Sequence, residues 1–177
     1  MRNVQSAPVR FGWKWLREKV PGDALGKIDL HTDGSLDAQS YRMEKTDTGI
    51  RISAGDDAGM MYALLDLADM YNGGWPERIR IFQRPYLQNR GIKLNIPLDA
   101  RTPSYSDASS SAFENIGNMW EFSFWQEFLD SMAEQKYNVL SLWNLSPFPS
   151  LVRVPEYPLI GLEDVVCSTV PPRPDMS

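Results

Sequence analysis

The chain has one cysteine and one histidine in 177 residues. Cys167 therefore has no partner for an internal disulfide, and a zinc centre built from several Cys and His ligands is excluded. Cys167 also has no histidine or cation near it in sequence to lower its thiol pKa, so no cysteine nucleophile is expected. A basic block is missing too. Eighteen Lys and Arg are scattered among 23 Asp and Glu, for a formal net charge of −5, which leaves no electrostatic footprint for a nucleic-acid backbone. The apolar runs are only a few residues long, far from the roughly 20 needed to cross a bilayer, and the first 30 residues contain no apolar h-region. Neither nucleic acid nor membrane is expected as a partner. Either the protein is cytoplasmic or its export signal lies outside this chain, so the compartment stays open. Nothing implies a metal or organic cofactor, and no internal repeat is present.

What the chain does have is globular material: 42% hydrophobic residues, 11% aromatics and six tryptophans, enough to bury a core. Its length suits one ordinary domain, or a small domain plus part of another. Residues 8–20 begin with a proline suited to a first helical turn and set Phe11, Trp15 and Leu16 at helical spacing, predicting a short helix. Residues 27–30, 41–45 and 50–53 read as short strands of a small sheet, the last two joined by a TDTG hairpin turn. A helix follows, capped by Asp56 or Asp57 and ended at Gly73 and Gly74. Its wheel puts Met60, Met61, Ala63, Leu64, Leu65, Leu67, Ala68, Met70 and Tyr71 on one broad arc, with Tyr62, Asp66 and Asp69 opposite. This half predicts helices on an antiparallel or mixed sheet.

A connection with a possible strand at 79–82 leads to a boundary near Pro85. Residues 91–97 then form a buried-strand pattern through Ile92, Leu94 and Ile96, followed by a long polar loop, PLDARTPSYSDASSSA. The helix expected over 118–136 carries Trp120, Phe124, Trp125, Phe128, Leu129 and Met132 on one wide apolar side. Residues 138–145, NVLSLWNL, form the continuous apolar run of a parallel strand buried on both faces. The Pro-rich tail, 167–177, reads as a disordered end.

The order of these elements, with GDDAGMMYALLDLAD, then RGIKLNIP, then KYNVLSLWNL, resembles glycoside hydrolases that carry an accessory domain ahead of a (β/α)8 barrel. The family 20 β-N-acetylhexosaminidases and the family 67 α-glucuronidases are the groups it resembles. The matching signatures are the turn of Gly55, Asp56 and Gly59, the Arg-Gly start of a first barrel strand at Arg90 and Gly91, and a second strand from Asn138 to Asn144. The chain departs from the hexosaminidases at Asn95, where their first strand usually offers an aspartate. Their adjacent Asp-Glu pair would lie on a fourth strand, beyond this sequence. The resemblance implies an α/β fold: an α+β accessory domain over 1–85, then the first two βα units of a truncated TIM barrel over 86–166.

No catalytic residue is expected within the chain. Glycosidic cleavage usually needs two carboxyl groups about 5–10 Å apart, and Glu156, Glu163 and Asp164 are not fixed at any such separation. Six residues are candidates for substrate binding: Arg90, Asn95, Asp99, Arg101, Trp143 and Asn144. In the resembling hexosaminidases the arginine matching Arg90 hydrogen-bonds sugar hydroxyls; the plainer reading is an arginine paired with a carboxylate at a domain junction. Asp99 and Arg101, with Tyr105 and Asp107, lie in the loop after the first strand, where barrels place ligand contacts. That loop could equally be folded by its own Asp and Ser hydrogen bonds. Trp143 beside Asn144 suits a pyranose ring, whose C–H bonds stack on an aromatic face, yet tryptophan on a buried strand is also ordinary core. Asp56 and Asp57 are read as a helix cap rather than an acid pair, and His31 as a surface turn residue.

The sequence therefore predicts an N-terminal fragment of a carbohydrate-active enzyme acting on a carbohydrate substrate. On its own it would be inactive, with an open edge that the missing C-terminal barrel or self-association would cover. The alternative is a non-catalytic glycan- or partner-binding module.

Overall fold

A computed structural model describes residues 6–95, 117–143 and 155–158. The chain divides into two compact units, Met1–Gln88 and Asn89–Ser177, a division slightly beyond Pro85.

In the first unit, α1 (Ala7–Lys19) is followed by β1 (Ile28–Thr32), β2 (Tyr41–Thr46), β3 (Gly49–Ala54), α2 (Asp57–Met70) and β4 (Arg80–Gln83). The strands form one mixed sheet in the order β1-β3-β2-β4, with β1 parallel to β3 and the other two pairings antiparallel. Alternation selects the core side chains. Tyr41 and Met43 from β2, with Ile50, Ile52 and Ala54 from β3, are buried, and the register sets Met43 opposite Ile52 and Tyr41 opposite Ala54. The opposite positions hold charges: Arg51 meets Glu44 at 3.4 Å across the strands.

α2 packs on β2 and β3 along one side and on α1 along another, so it is buried almost all round. Tyr62, expected on its outer arc, is buried, and beyond the first-turn residues Asp57 and Ala58 only Asp66, Asp69 and Met70 reach solvent. Two neighbours, not one, cover this helix, as an all-round apolar helix requires. The Tyr41 hydroxyl donates to Asp66. Burial of Tyr41, reinforced by the Asp66 carboxylate, pushes its phenol well above the ordinary tyrosine range.

α1 has Pro8 in its first turn and buries Val9, Gly12 and Leu16, leaving Phe11 and Trp15 half-exposed and stacked on each other at 6.4 Å. Of the three apolar residues noted at helical spacing, only Leu16 is buried. Gly12 is the crossing point: a Cβ there would sit 3.0 Å from the Leu64 Cβ, so the helices meet through a residue with no side chain to announce it.

In the second unit, β5 (Gly91–Asn95), α3 (Phe122–Glu134) and β6 (Val139–Trp143) follow one another, and β5 pairs with β6 in parallel. Parallel strands need a crossover connection, which here includes α3. The helix begins later than expected. Residues 117–119 form a separate helical turn, Glu121 is an extended N-cap, and the Trp125 indole donates to the Met119 carbonyl across the break at 2.9 Å. Phe124, Trp125 and Phe128 are half-buried and pack on each other with ring centroids 5.3–6.2 Å apart.

Candidate functional site

The Gly-Asp-x-x-Gly signature is a structural clasp. The Asp56 Oδ1 accepts from the Gly59 backbone N–H at 2.7 Å and from the Gln39 N–H at 2.9 Å, while the Gly55 N–H donates to the Ser40 carbonyl at 3.0 Å. A Cβ at Gly59 would overlap that carbonyl oxygen. One carboxylate therefore caps α2 and ties it to the loop before β2. Asp57 sits in the first turn of α2, where the positive end of the helix favours a carboxylate.

The second unit presents the strand ends that matter for a parallel sheet. α3 closes with a Schellman arrangement: the Tyr137 N–H donates to the Met132 carbonyl at 2.9 Å and the Lys136 N–H to that of Ala133 at 3.0 Å, with Lys136 left-handed at φ 60°. Arg90 fastens onto this turn. Its Nε donates to the Lys136 carbonyl at 2.9 Å, its backbone N–H to the Asn138 side-chain oxygen at 2.8 Å, and its carbonyl accepts from the Asn138 and Val139 N–H groups. Arg90 and Asn138 thus set the start of both strands, and Gly91 lets them close: a Cβ there would lie 2.7 Å from the Val139 carbonyl oxygen.

The strands leave this clamp in register, Gly91 opposite Val139 and, at the other end, Asn95 opposite Trp143. Asn95 and Trp143 are therefore backbone neighbours at the C-terminal edge of the pair, the edge where parallel barrels carry ligands. Arg90 is not with them. Five residues at ~3.3 Å each put it about 16 Å away, at the opposite end of β5. Asp99, Arg101, Tyr105, Asp107, Asn144, Glu163, Asp164, Cys167 and the tail 167–177 lie outside the described residues. Glu156 is exposed.

The two faces of the pair differ. Ile92, Leu94 and Leu140 are half-buried on one; Gly91, Lys93, Val139 and Ser141 are exposed on the other. Lys93, opposite Ser141, was passed over in the sequence because a lysine between Ile92 and Leu94 reads as the solvent side of an alternating strand. Apolar groups are bare as well. Leu142 is 44% exposed, Leu129 48% and Phe122 74%.

Among the described residues, the carboxyl groups with clearly shifted ionisation lie elsewhere. A hydrogen bond from His31, 3.0 Å away, holds Asp29 below the usual carboxylate range, which places His31 within β1 rather than in a turn. The Ser35 hydroxyl and backbone N–H do the same for Asp33. No group of three His, Cys, Asp or Glu among the described residues is arranged to hold a metal, and no described helix is long and apolar enough to cross a membrane.

No family profile and no curated protein matches the chain. Solved structures do. A GH138 enzyme targeting pectin rhamnogalacturonan II superposes with a TM-score of 0.65 at 19% identity over 87% of this chain. A β-N-acetylhexosaminidase from Bacteroides fragilis gives a TM-score of 0.54 at 21% identity over 78%. The chain spans 19% and 27% of their respective lengths. At these identities the likeness is one of fold: this is the α/β fold of a portion of these glycoside hydrolases, the hexosaminidase group among them as the sequence signatures implied.

Proposed function

We propose that the chain is the accessory domain and the opening two βα units of a (β/α)8 glycoside hydrolase, working within a longer protein. The observation that carries this reading is the β5-β6 pair: two parallel strands in register, bare on one face and flanked by exposed Phe122, Leu129 and Leu142. A parallel sheet ordinarily has both faces covered, and further strands and helices of a barrel would cover these. The fold likeness supports a carbohydrate as substrate.

In this reading Asn95 and Trp143, at the C-terminal edge, meet the sugar together with Asp99, Arg101 and Asn144 from the segments that follow. Arg90 serves strand register instead. The acid and base carboxylates come from later strands, so the isolated chain has no hydrolytic activity and associates through its apolar flank.

The test is to express the chain together with the reading frame that continues it. Rhamnogalacturonan II oligosaccharides and β-N-acetylglucosaminides would be offered to that protein and to the 177-residue chain. Turnover by the longer protein alone is expected. A frame that ends at Ser177, with the chain behaving as a stable monomer that binds no hydrophobic dye, would refute the proposal and favour a self-contained binding module.

A further inference from the structure

We propose that the outer face of the first unit's sheet is a binding ledge for an acidic oligosaccharide, one that bears uronate carboxylates. The ledge is a row of four side chains set by the strand register. His31 of β1 lies opposite Ser53 of β3, Ser53 opposite Arg42 of β2, and Arg42 opposite Phe82 of β4. Partners in register share a face, and the alternate positions Met43 and Ile52 are buried under α2, so all four belong to the outer side. Adjacent strands stand about 4.8 Å apart, so the row spans about 14 Å, a length that suits an oligosaccharide better than a single ring. Two residues along the strands, Asp29, Arg51, Glu44 and Arg80 alternate in sign across the same sheet. Arg51 there meets Glu44 at 3.4 Å, and that row neutralises itself. In the ledge the Arg42 guanidinium instead lies over the Phe82 ring, 5.9 Å from its centroid, and no described carboxylate is within ion-pair distance of it. A guanidinium backed by a ring presents its planar fork to a carboxylate from outside. Phe82 is 57% exposed, which leaves ring area for the C–H face of a sugar. Ser53 can donate to one hydroxyl and accept from another, and His31 is held at the end of the row by Asp29, 3.0 Å from its Nε2. The choice of a sugar as carrier of the carboxylate rests on the glycoside hydrolase reading; the row itself lies wholly within the first unit.

The plain alternative is a solvated sheet face on which Arg42 and Phe82 only pack together. Calorimetric titration of the 177-residue chain with an oligogalacturonide separates the two. Binding is expected, and it should weaken by about tenfold or more with the methyl ester of the same oligosaccharide or with Arg42→Gln, the loss of a charge-assisted hydrogen-bonded pair. Phe82→Ala should cost about fivefold, and Arg42→Lys should keep part of the affinity, because the charge stays while the fork is lost. Arg17→Gln removes the same charge from an exposed position of α1, the helix that packs on α2, and should leave the affinity unchanged. Hydroxyl-radical oxidation of Phe82, read by mass spectrometry, should slow when the wild-type chain is saturated with oligosaccharide, a measurement that needs no variant. Absent binding, equal affinity for the methyl ester, equal weakening by Arg17→Gln or unchanged oxidation of Phe82 overturns the inference. So does polyglutamate bound as tightly as the oligogalacturonide, which would assign the face to an acidic polypeptide. Oligogalacturonide binding with this pattern, beside a longer protein that cleaves no glycan, upholds the ledge and removes the hydrolase reading.

Discussion

Removing the Asp56 carboxylate should destabilise the first unit more than any other change to its surface loops. Two backbone donors, from Gly59 at 2.7 Å and Gln39 at 2.9 Å, converge on one oxygen. Loss of an N-cap costs about 0.5–2 kcal/mol, and a partly buried N–H left without its acceptor about 1–3 kcal/mol. The two overlap, because the Gln39 loop can relax once released, so Asp56→Ala should cost about 2–4 kcal/mol in all. Asp56→Asn keeps the oxygen and, as an equally good cap, should cost about 1 kcal/mol or less. Asp57→Ala loses only an interaction with the helix dipole, about 0.3–1 kcal/mol. Urea denaturation of the full chain followed by far-UV circular dichroism measures all three as shifts in midpoint at unchanged slope. The reasoning fails if Asp57→Ala is as damaging as Asp56→Ala, or if Asp56→Ala lies within about 0.5 kcal/mol of the wild type, the range of ordinary surface substitutions.

Alkaline pH should unfold the first unit through Tyr41. Its folded-state pKa is raised, so its contribution is complete below about pH 10, where the unfolded phenol ionises, and is lost as pH rises beyond. Tyr41→Phe should be less stable at pH 7 by about 1–3 kcal/mol, from the bond to Asp66, yet decline less steeply above pH 10; equal alkaline slopes in melting experiments would count against this. Gly91→Ala should separate β5 from β6, at about 1–3 kcal/mol for an overpacked contact. Faster amide exchange at Ile92 and Leu140 would report it, and unchanged exchange would show that the strands tolerate the added methyl.

Much of the local structure was legible in the residues. The second helix with its cap at Asp56 or Asp57, the hairpin between β2 and β3 and the apolar runs of β5 and β6 follow from spacing and turn chemistry, which act within a few residues, although the helix ends at Met70 rather than at Gly73. The helix faces were less legible: Tyr62 looked like a solvent position, and helical spacing did not tell that Leu16 is buried while Phe11 and Trp15 are half-exposed. A helical wheel assumes one buried face, but α2 has two neighbours, and α1 meets it at Gly12. No periodicity of apolar side chains records a contact made through a missing side chain.

At the candidate site the division is sharper. Asn95 and Trp143 could be nominated from strand patterns, because parallel strands carry function at their C-terminal ends. Arg90 could be placed at the start of its strand, but its bonds to Lys136 and Asn138 could not be read, since 48 residues of chain separate Arg90 from Asn138. By itself the sequence determined the elements, their α/β order and the absence of metal-binding cysteine chemistry, all of which depend on side-chain type and short-range spacing. Only the tertiary structure decided which residues stand side by side and which faces lie bare. Strand pairing and helix crossing are long-range choices, made by close backbone approach at Gly12, Gly59 and Gly91 and by hydrogen bonds between segments far apart in the chain.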